Sequence, residues 1–169
     1  MARIAFLLDD NYEDSEFRVP YDRLREAGHD VAVLGLEKGK AVNGKKGDDR
    51  FIIESGPEAA DPDAFDAVVV PGGYSPDKVR TQPELVALTR AAAEAGKPVA
   101  AICHAGWVLA EADIVRGRTV TSFHSIKTDL TNAGADWVDQ EVVVDGPLIT
   151  SRTPGDLDAF CDTILKQLG

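Results

Sequence analysis

Four short apolar runs set the limits on this fold: Arg3 to Leu8, Asp30 to Leu36, Asp66 to Val70 and Pro98 to Ile102. Each is close to continuous in hydropathy, the pattern of a strand buried on both faces. Helical stretches separate them. The spacing predicts a first helix over about Glu16 to Ala27, with Asp14 or Ser15 as its cap, Pro20 in its second turn and Gly28 as its stop. An alanine-rich helix is predicted from Pro83 to Ala95, and a shorter one follows Cys103 to about Glu111. Strands alternating with helices specify an α/β chain with a mostly parallel sheet and right-handed crossovers. In such sheets, sites form beyond the C-terminal ends of the strands. Three loops share that end: Asp9 to Glu16, Gly72 to Asp77, and Cys103-His104.

The remaining segments are lighter. Lys38 to Glu54 reads as a hairpin with a tight turn near Asn43-Gly44. Its lysines and glycines match no phosphate-loop spacing, which leaves a solvated turn. Thr119 to Ser122 reads as a strand, Thr128 to Ala133 as a helix, and Asp145-Gly146 as the turn of a second hairpin. Thr153-Pro154 opens a last helix, with Thr153 as N-cap. Cys161 falls on that helix's apolar face with Leu157, Phe160 and Ile164, so it reads as core.

Length and composition bound the rest. A chain of 169 residues with 44% hydrophobic content fits one domain, 1–169, with a core that needs no staples. Two cysteines are too few for a disulfide framework, and the expected compartment is a reducing cytoplasm. No run is long and apolar enough for a membrane span, and Asp9-Asp10 arrives too early for a signal peptide. The net charge of −11 argues against a nucleic-acid binding site. No zinc-type ligand spacing occurs, so neither a metal nor an organic cofactor is expected.

Cys103 ends an apolar run and precedes His104, Ala105, Gly106 and Trp107. A thiol at such a strand-to-helix corner faces unpaired N–H groups and the positive end of a helix dipole, which favour the thiolate. The competing reading is a small buried hydrophobe, and position alone leaves the two even.

Motifs along the whole chain resemble the ThiJ/PfpI family of the class I glutamine amidotransferase-like superfamily. They are Glu13-Asp14-Ser15-Glu16 with Pro20-Tyr21, Val70-Pro71-Gly72-Gly73, Ala101-Ile102-Cys103-His104, Arg116-Gly117-Arg118, Asn132-Ala133-Gly134-Ala135, Asp139-Gln140-Glu141-Val142-Val143-Val144-Asp145 and Thr150-Ser151-Arg152-Thr153-Pro154. The PfpI-type branch, with its general stress proteins, intracellular proteases and protein deglycases, is the nearest in pattern. The resemblance implies a flavodoxin-like three-layer sandwich with Cys103 at a nucleophile elbow. It implies that Glu16 is a protonated acid bonded to the sulfur, and that the Gly73 and His104 N–H groups form an oxyanion hole. It implies a catalytic set of Cys103, His104, Glu16 and Asp77, with Asp77 donated by another subunit of a homodimer or larger homo-oligomer. Asp77 stands where relatives carry glutamate. Phe123 stands where many have tyrosine, and Ala105-Gly106, followed by Trp107, stands where relatives usually read Gly-Pro.

Around that set, Glu13 reads as a loop or interface acid. Trp107 reads as a pocket wall or as packing between helix and sheet. Phe123 and His124 read as pocket lining. Since neighbouring side chains diverge, His104 is not required to touch the sulfur. Three activities fit the resemblance. The first is a protein/nucleotide deglycase or glyoxalase-like hydrolase acting on methylglyoxal and glyoxal adducts. The second is an intracellular cysteine peptidase, and the third is a non-enzymatic stress protein with an oxidisable thiol.

Overall fold

The computed structural model describes residues 1–169. Its centre is a six-stranded sheet. In chain order its strands are β1 (Arg3–Leu7), β2 (Asp30–Leu34), β5 (Ala67–Val70), β6 (Val99–Ile102), β9 (Val143–Asp145) and β10 (Leu148–Ser151). In space they run β2-β1-β5-β6-β10-β9, all parallel except β9, which pairs antiparallel with β10. Period-two alternation divides each strand between two cores. Ile4 and Phe6 of β1 point to one face with Ala100 and Ile102 of β6, while Ala5 and Leu7 point to the other with Val99 and Ala101. Helices α1 (Asp14–Glu26) and α6 (Leu157–Leu168) cover the first face through Phe17, Leu24, Phe160 and Ile164. Helices α3 (Pro83–Glu94) and α4 (Gly106–Glu111) cover the second through Leu85, Leu88, Val108 and Leu109. The result is the three-layer, flavodoxin-like sandwich expected from the sequence.

Strand order reverses between β1 and β5. The loops after β1, β5 and β6 therefore meet at one end of the sheet, over the switch point.

Some local expectations change. β3 (Ala41–Asn43) and β4 (Arg50–Ile52) do pair, but through a six-residue connection, Gly44 to Asp49, rather than a tight turn. The reason is Asp14. It does not cap α1, whose N-cap is Glu13 with no side-chain bond. Its carboxylate instead accepts the N–H groups of Lys46, Asp48 and Asp49 at 2.9–3.0 Å. The Thr153 side chain caps nothing either. Pro154 opens a short 3-10 turn, and Asp156 accepts the Arg152 N–H and guanidinium instead. The expected Thr119–Ser122 strand shortens to β7 (Thr119–Val120) and pairs with β8 (Asp136–Trp137), which the sequence did not suggest. Helices α2 (Ser75–Val79) and α5 (Lys127–Asn132) complete the chain.

Candidate functional site

β6 delivers Ile102 in extended conformation, and the chain then reverses at Cys103, whose φ is +63°. A left-handed backbone costs a β-substituted residue about 1–2 kcal/mol, so it persists only where its surroundings enforce it. Here the Phe123 N–H binds the Cys103 carbonyl at 3.1 Å. A single 3-10 turn, Cys103–Ala105, then leads into α4. Cys103 is 6% exposed. Opposite lies the β5 loop. Gly73 has φ +76°, and a Cβ there would sit 2.4–2.7 Å from the backbone of Glu13, Asn11 and Tyr12. Only glycine fits. The backbone N–H groups of Gly73 and His104 both converge on the sulfur.

Glu16 comes from the first turn of α1 and is fully buried, with neither carboxyl oxygen hydrogen-bonded. The expected bond from Glu16 to the sulfur is therefore not formed; the two groups instead crowd the bare Cα of Gly72, where a Cβ would meet Glu16 Oε1 at 2.3 Å and Cys103 Cβ at 2.6 Å. The Gly72 N–H favours the charged form slightly without making a well-formed bond. Burial first, and the Glu13 charge second, push Glu16 up to about 8. At neutral pH it is therefore mostly protonated.

The thiol behaves differently from the sequence expectation. Burial, and then the charge of Glu16, push Cys103 up to about 12, against the pull of the two N–H groups and of Lys45. The helix dipole invoked from the sequence is weak, because α4 is six residues long and begins three positions later. Cys103 rests as a thiol. Its nearest proton acceptor is His104 Nδ1, 3.1 Å from Sγ. Burial, with Lys45 and His124, keeps that imidazole below its ordinary value, hence neutral.

A model of the DJ-1/PfpI family matches residues 2–167. The chain belongs to this family. Over 168 residues it is 47% identical to protein/nucleic acid deglycase 2 of Escherichia coli, with 99% of this chain and 98% of the relative aligned. Deglycase PfpI of Pyrococcus furiosus is 42% identical over 166 residues, 98% and 99% of the two chains. Among solved structures, a two-domain Anabaena variabilis protein with DJ-1/ThiJ/PfpI-like and ferritin-like domains superposes with TM-score 0.98 at 44% identity. The match covers all of this chain and 48% of that one. Drosophila melanogaster DJ-1beta gives 0.90 at 34% identity, covering 98% of this chain and 89% of that one.

In this DJ-1/PfpI chain, Cys103, His104, Glu16 and Gly73 come together. His104 does touch the sulfur, because a corner at positive φ does not splay its side chains as regular structure does. Asp77 is exposed on α2 and makes no bond to His104. That imidazole's outer nitrogen, Nε2, instead lies 3.1 Å from Ser125 Oγ. Glu13 is not a loose loop acid: it is 4% exposed and paired with Lys45 at 2.9 Å and Lys46 at 2.8 Å. Phe123 stacks on His104 with centroids 5.0 Å apart, and Trp107 lies 5.0 Å from the same ring. Trp107 also packs against the α3/α4 core, with its indole N–H tied to Asp129 at 2.9 Å. His124 is exposed and rests on Phe123 at 4.5 Å. A groove of about 470 Å³ lined by Arg80, Pro83, Val86 and Glu111 contains none of these groups.

Lys45, Lys46, Ser125 and Tyr74, whose ring is 5.9 Å from His104, escaped the sequence reading. For the lysines a signal existed, in the Lys-Gly run set aside as a solvated turn.

Proposed function

We propose that this protein is a cysteine-dependent deglycase, acting on the adducts that methylglyoxal and glyoxal form with amines. The observation that carries the reading is the neutral His104 Nδ1 3.1 Å from the Cys103 sulfur, beside two N–H groups and a protonated buried acid. In an aminocarbinol the carbon bearing the amine also bears a hydroxyl and sits next to a carbonyl. As sulfur forms its bond to that carbon, the S–H proton passes through His104 to the nitrogen, which leaves as the free amine, and His104 is again neutral. The protonated Glu16 donates to the neighbouring carbonyl oxygen while its other oxygen takes the hydrogen from this carbon. The enediol so formed is reprotonated by Glu16 at the neighbouring carbon as its first hydroxyl returns a proton to the carboxyl, which turns the carbonyl into an alcohol and leaves a thioester. The N–H groups of Gly73 and His104 hold the oxyanion. Water hydrolyses the thioester to a hydroxy acid and restores the thiol. One carbon is oxidised as its neighbour is reduced, so the sequence consumes one water and needs no external oxidant or metal.

The name of the Escherichia coli relative extends to nucleic acids. A net charge of −11 favours single glycated nucleotides or amino acids over polymers as substrates here. We also propose assembly into a homo-oligomer, in which Asp77 of a neighbouring copy approaches His104; light scattering tests this.

The same Cys103–His104 contact is the pair a cysteine peptidase needs, so the test carries both arms. Wild type and Cys103→Ala are assayed in an amine-free buffer against a methylglyoxal–N-acetyl-lysine adduct and against a quenched peptide. The expected result is release of free amine and lactate by wild type, loss to background in Cys103→Ala, and no peptide cleavage. Peptide cleavage without amine release sinks the deglycase reading in favour of the peptidase.

A further inference from the structure

The connection from Gly44 to Asp49 makes more contacts with the site than a solvated turn requires. Its first residue leaves no room for a side chain: a Cβ on Gly44 would fall 2.0–2.6 Å from the Asp14 carboxylate. The Lys45 N–H binds the Tyr12 carbonyl at 2.8 Å, and Tyr12 bridges to Gly73. The turn is thus tied at one end to the loop that aims the Gly73 N–H at the sulfur. At the other end three of its N–H groups grip Asp14, next in sequence to Glu13. Held this way, Lys45 and Lys46 both reach the buried Glu13 carboxylate. Two cations on one anion leave a net positive charge. Lys45 carries it inward: its side chain is 33% exposed against 58% for Lys46, and its ammonium lies over the Tyr74 ring at 5.6 Å.

We propose that Asp14 acts as a clip that seats the Gly44–Asp49 turn, and that the turn supplies Lys45 as the resident cation of the Cys103 site, a positioning residue that stabilises negative charge when it forms on the sulfur or on Glu16. The charged and titratable groups facing that pair are Glu13 ahead of α1, Lys45 and Lys46 on the turn and His104 on the elbow; His124, after β7, faces His104. Lys45 is the cation among them that favours the ionised form of both Cys103 and Glu16 and disfavours the imidazolium of His104. Its removal should therefore raise the pH at which the thiol reacts. The inference rests on Cys103 as the reacting group but not on the identity of the substrate.

Iodoacetamide alkylation of Cys103, followed by mass spectrometry across a pH series, reads the thiol directly. Lys45→Met is expected to react about tenfold more slowly near neutrality, with its alkylation profile moved up by about one pH unit. Lys45→Arg should stay within about twofold of wild type, and Lys46→Met should move less than half as far. Asp14→Asn separates clip from field. It removes a negative charge, so a direct field effect would speed alkylation, whereas a released turn slows it; slowing is expected. Circular dichroism establishes that each variant is folded. An unchanged profile in folded Lys45→Met overturns the role of Lys45, and faster or unchanged alkylation in Asp14→Asn overturns the clip. If the shifts occur in a protein that releases no amine from adducts, the proposed activity fails and this inference stands.

Discussion

Replacing Glu16 with glutamine should make the protein more stable in alkaline solution while disabling it. The carboxyl is fully buried and unpartnered, and its value in the fold is about 8 against 4.5 for the free side chain. The folded chain therefore holds a proton that the unfolded chain gives up, and between those two values stability falls as pH rises. At about 1.4 kcal/mol per tenfold step, the full penalty is on the order of 5 kcal/mol. Relaxation toward Lys45 reduces it, and about 2–5 kcal/mol is expected. Glutamine carries no proton to lose. The stability difference between Glu16→Gln and wild type should be constant in mild acid, open above pH ~5, grow through about 8 and level beyond. Urea unfolding across pH measures it, and at about 2–4 °C per kcal/mol thermal melts should separate by roughly 5–15 °C at the alkaline end. His104 titrates in both proteins, so its contribution largely cancels in the difference. A gap that stays flat from acid to alkali would refute the argument, since Glu16 would then titrate alike in folded and unfolded chains.

Gly73→Ala combines a left-handed backbone, about 1–2 kcal/mol, with overpacking against three backbone atoms, about 1–3 kcal/mol. A drop of about 2–5 kcal/mol in urea-unfolding stability and at least a hundredfold fall in kcat/KM are expected. Ser125→Ala removes the hydroxyl on His104 Nε2; steady-state kinetics should show about a 3- to 10-fold loss in kcat with little change in melting temperature. Asp77→Ala in the same assay should fall less, and the opposite order would give the orienting role to the acid of a neighbouring copy. Cys161→Ala, in the α6 core, should leave turnover unchanged and lower stability by about 1 kcal/mol at constant denaturant slope.

The central sheet was readable because four of its six strands leave near-continuous apolar runs in the sequence. β7 and β8 were not: two residues each carry no periodicity, and their pairing depends on how the neighbouring strands are arranged. The start of α1 was misread for a related reason. Asp14 is a good capping residue by type, but three N–H groups from 32 to 35 residues away bind its carboxylate. A local rule lost to a long-range partner. Cys103 and Gly73 could be found because their positive φ values demand motifs that survive in sequence. Ser125 could not, since its contact with His104 spans 21 residues and one exposed serine resembles any other.

The charges at the site explain why the thiol is not ionised in advance. Lys45 and Lys46 against Glu13 leave one positive charge, enough to balance one negative charge when it forms on Cys103 or Glu16. Two negative charges there would have no second cation. The order of about 8 for Glu16 and about 12 for Cys103 assigns the first ionisation to the carboxyl. A sulfur nucleophile must then be generated as it attacks, by a base already in contact with it. His104 Nδ1, neutral and 3.1 Å away, meets that requirement, and its value below the ordinary imidazole range keeps it free to accept a proton at neutral pH. The activity should therefore fall in acid as His104 protonates, not along the titration of the thiol. A kcat/KM profile whose acid limb lies below the ordinary imidazole range would agree. A limb that rises only in alkali, tracking thiol ionisation, would return the chemistry to a preformed thiolate and remove His104 from it.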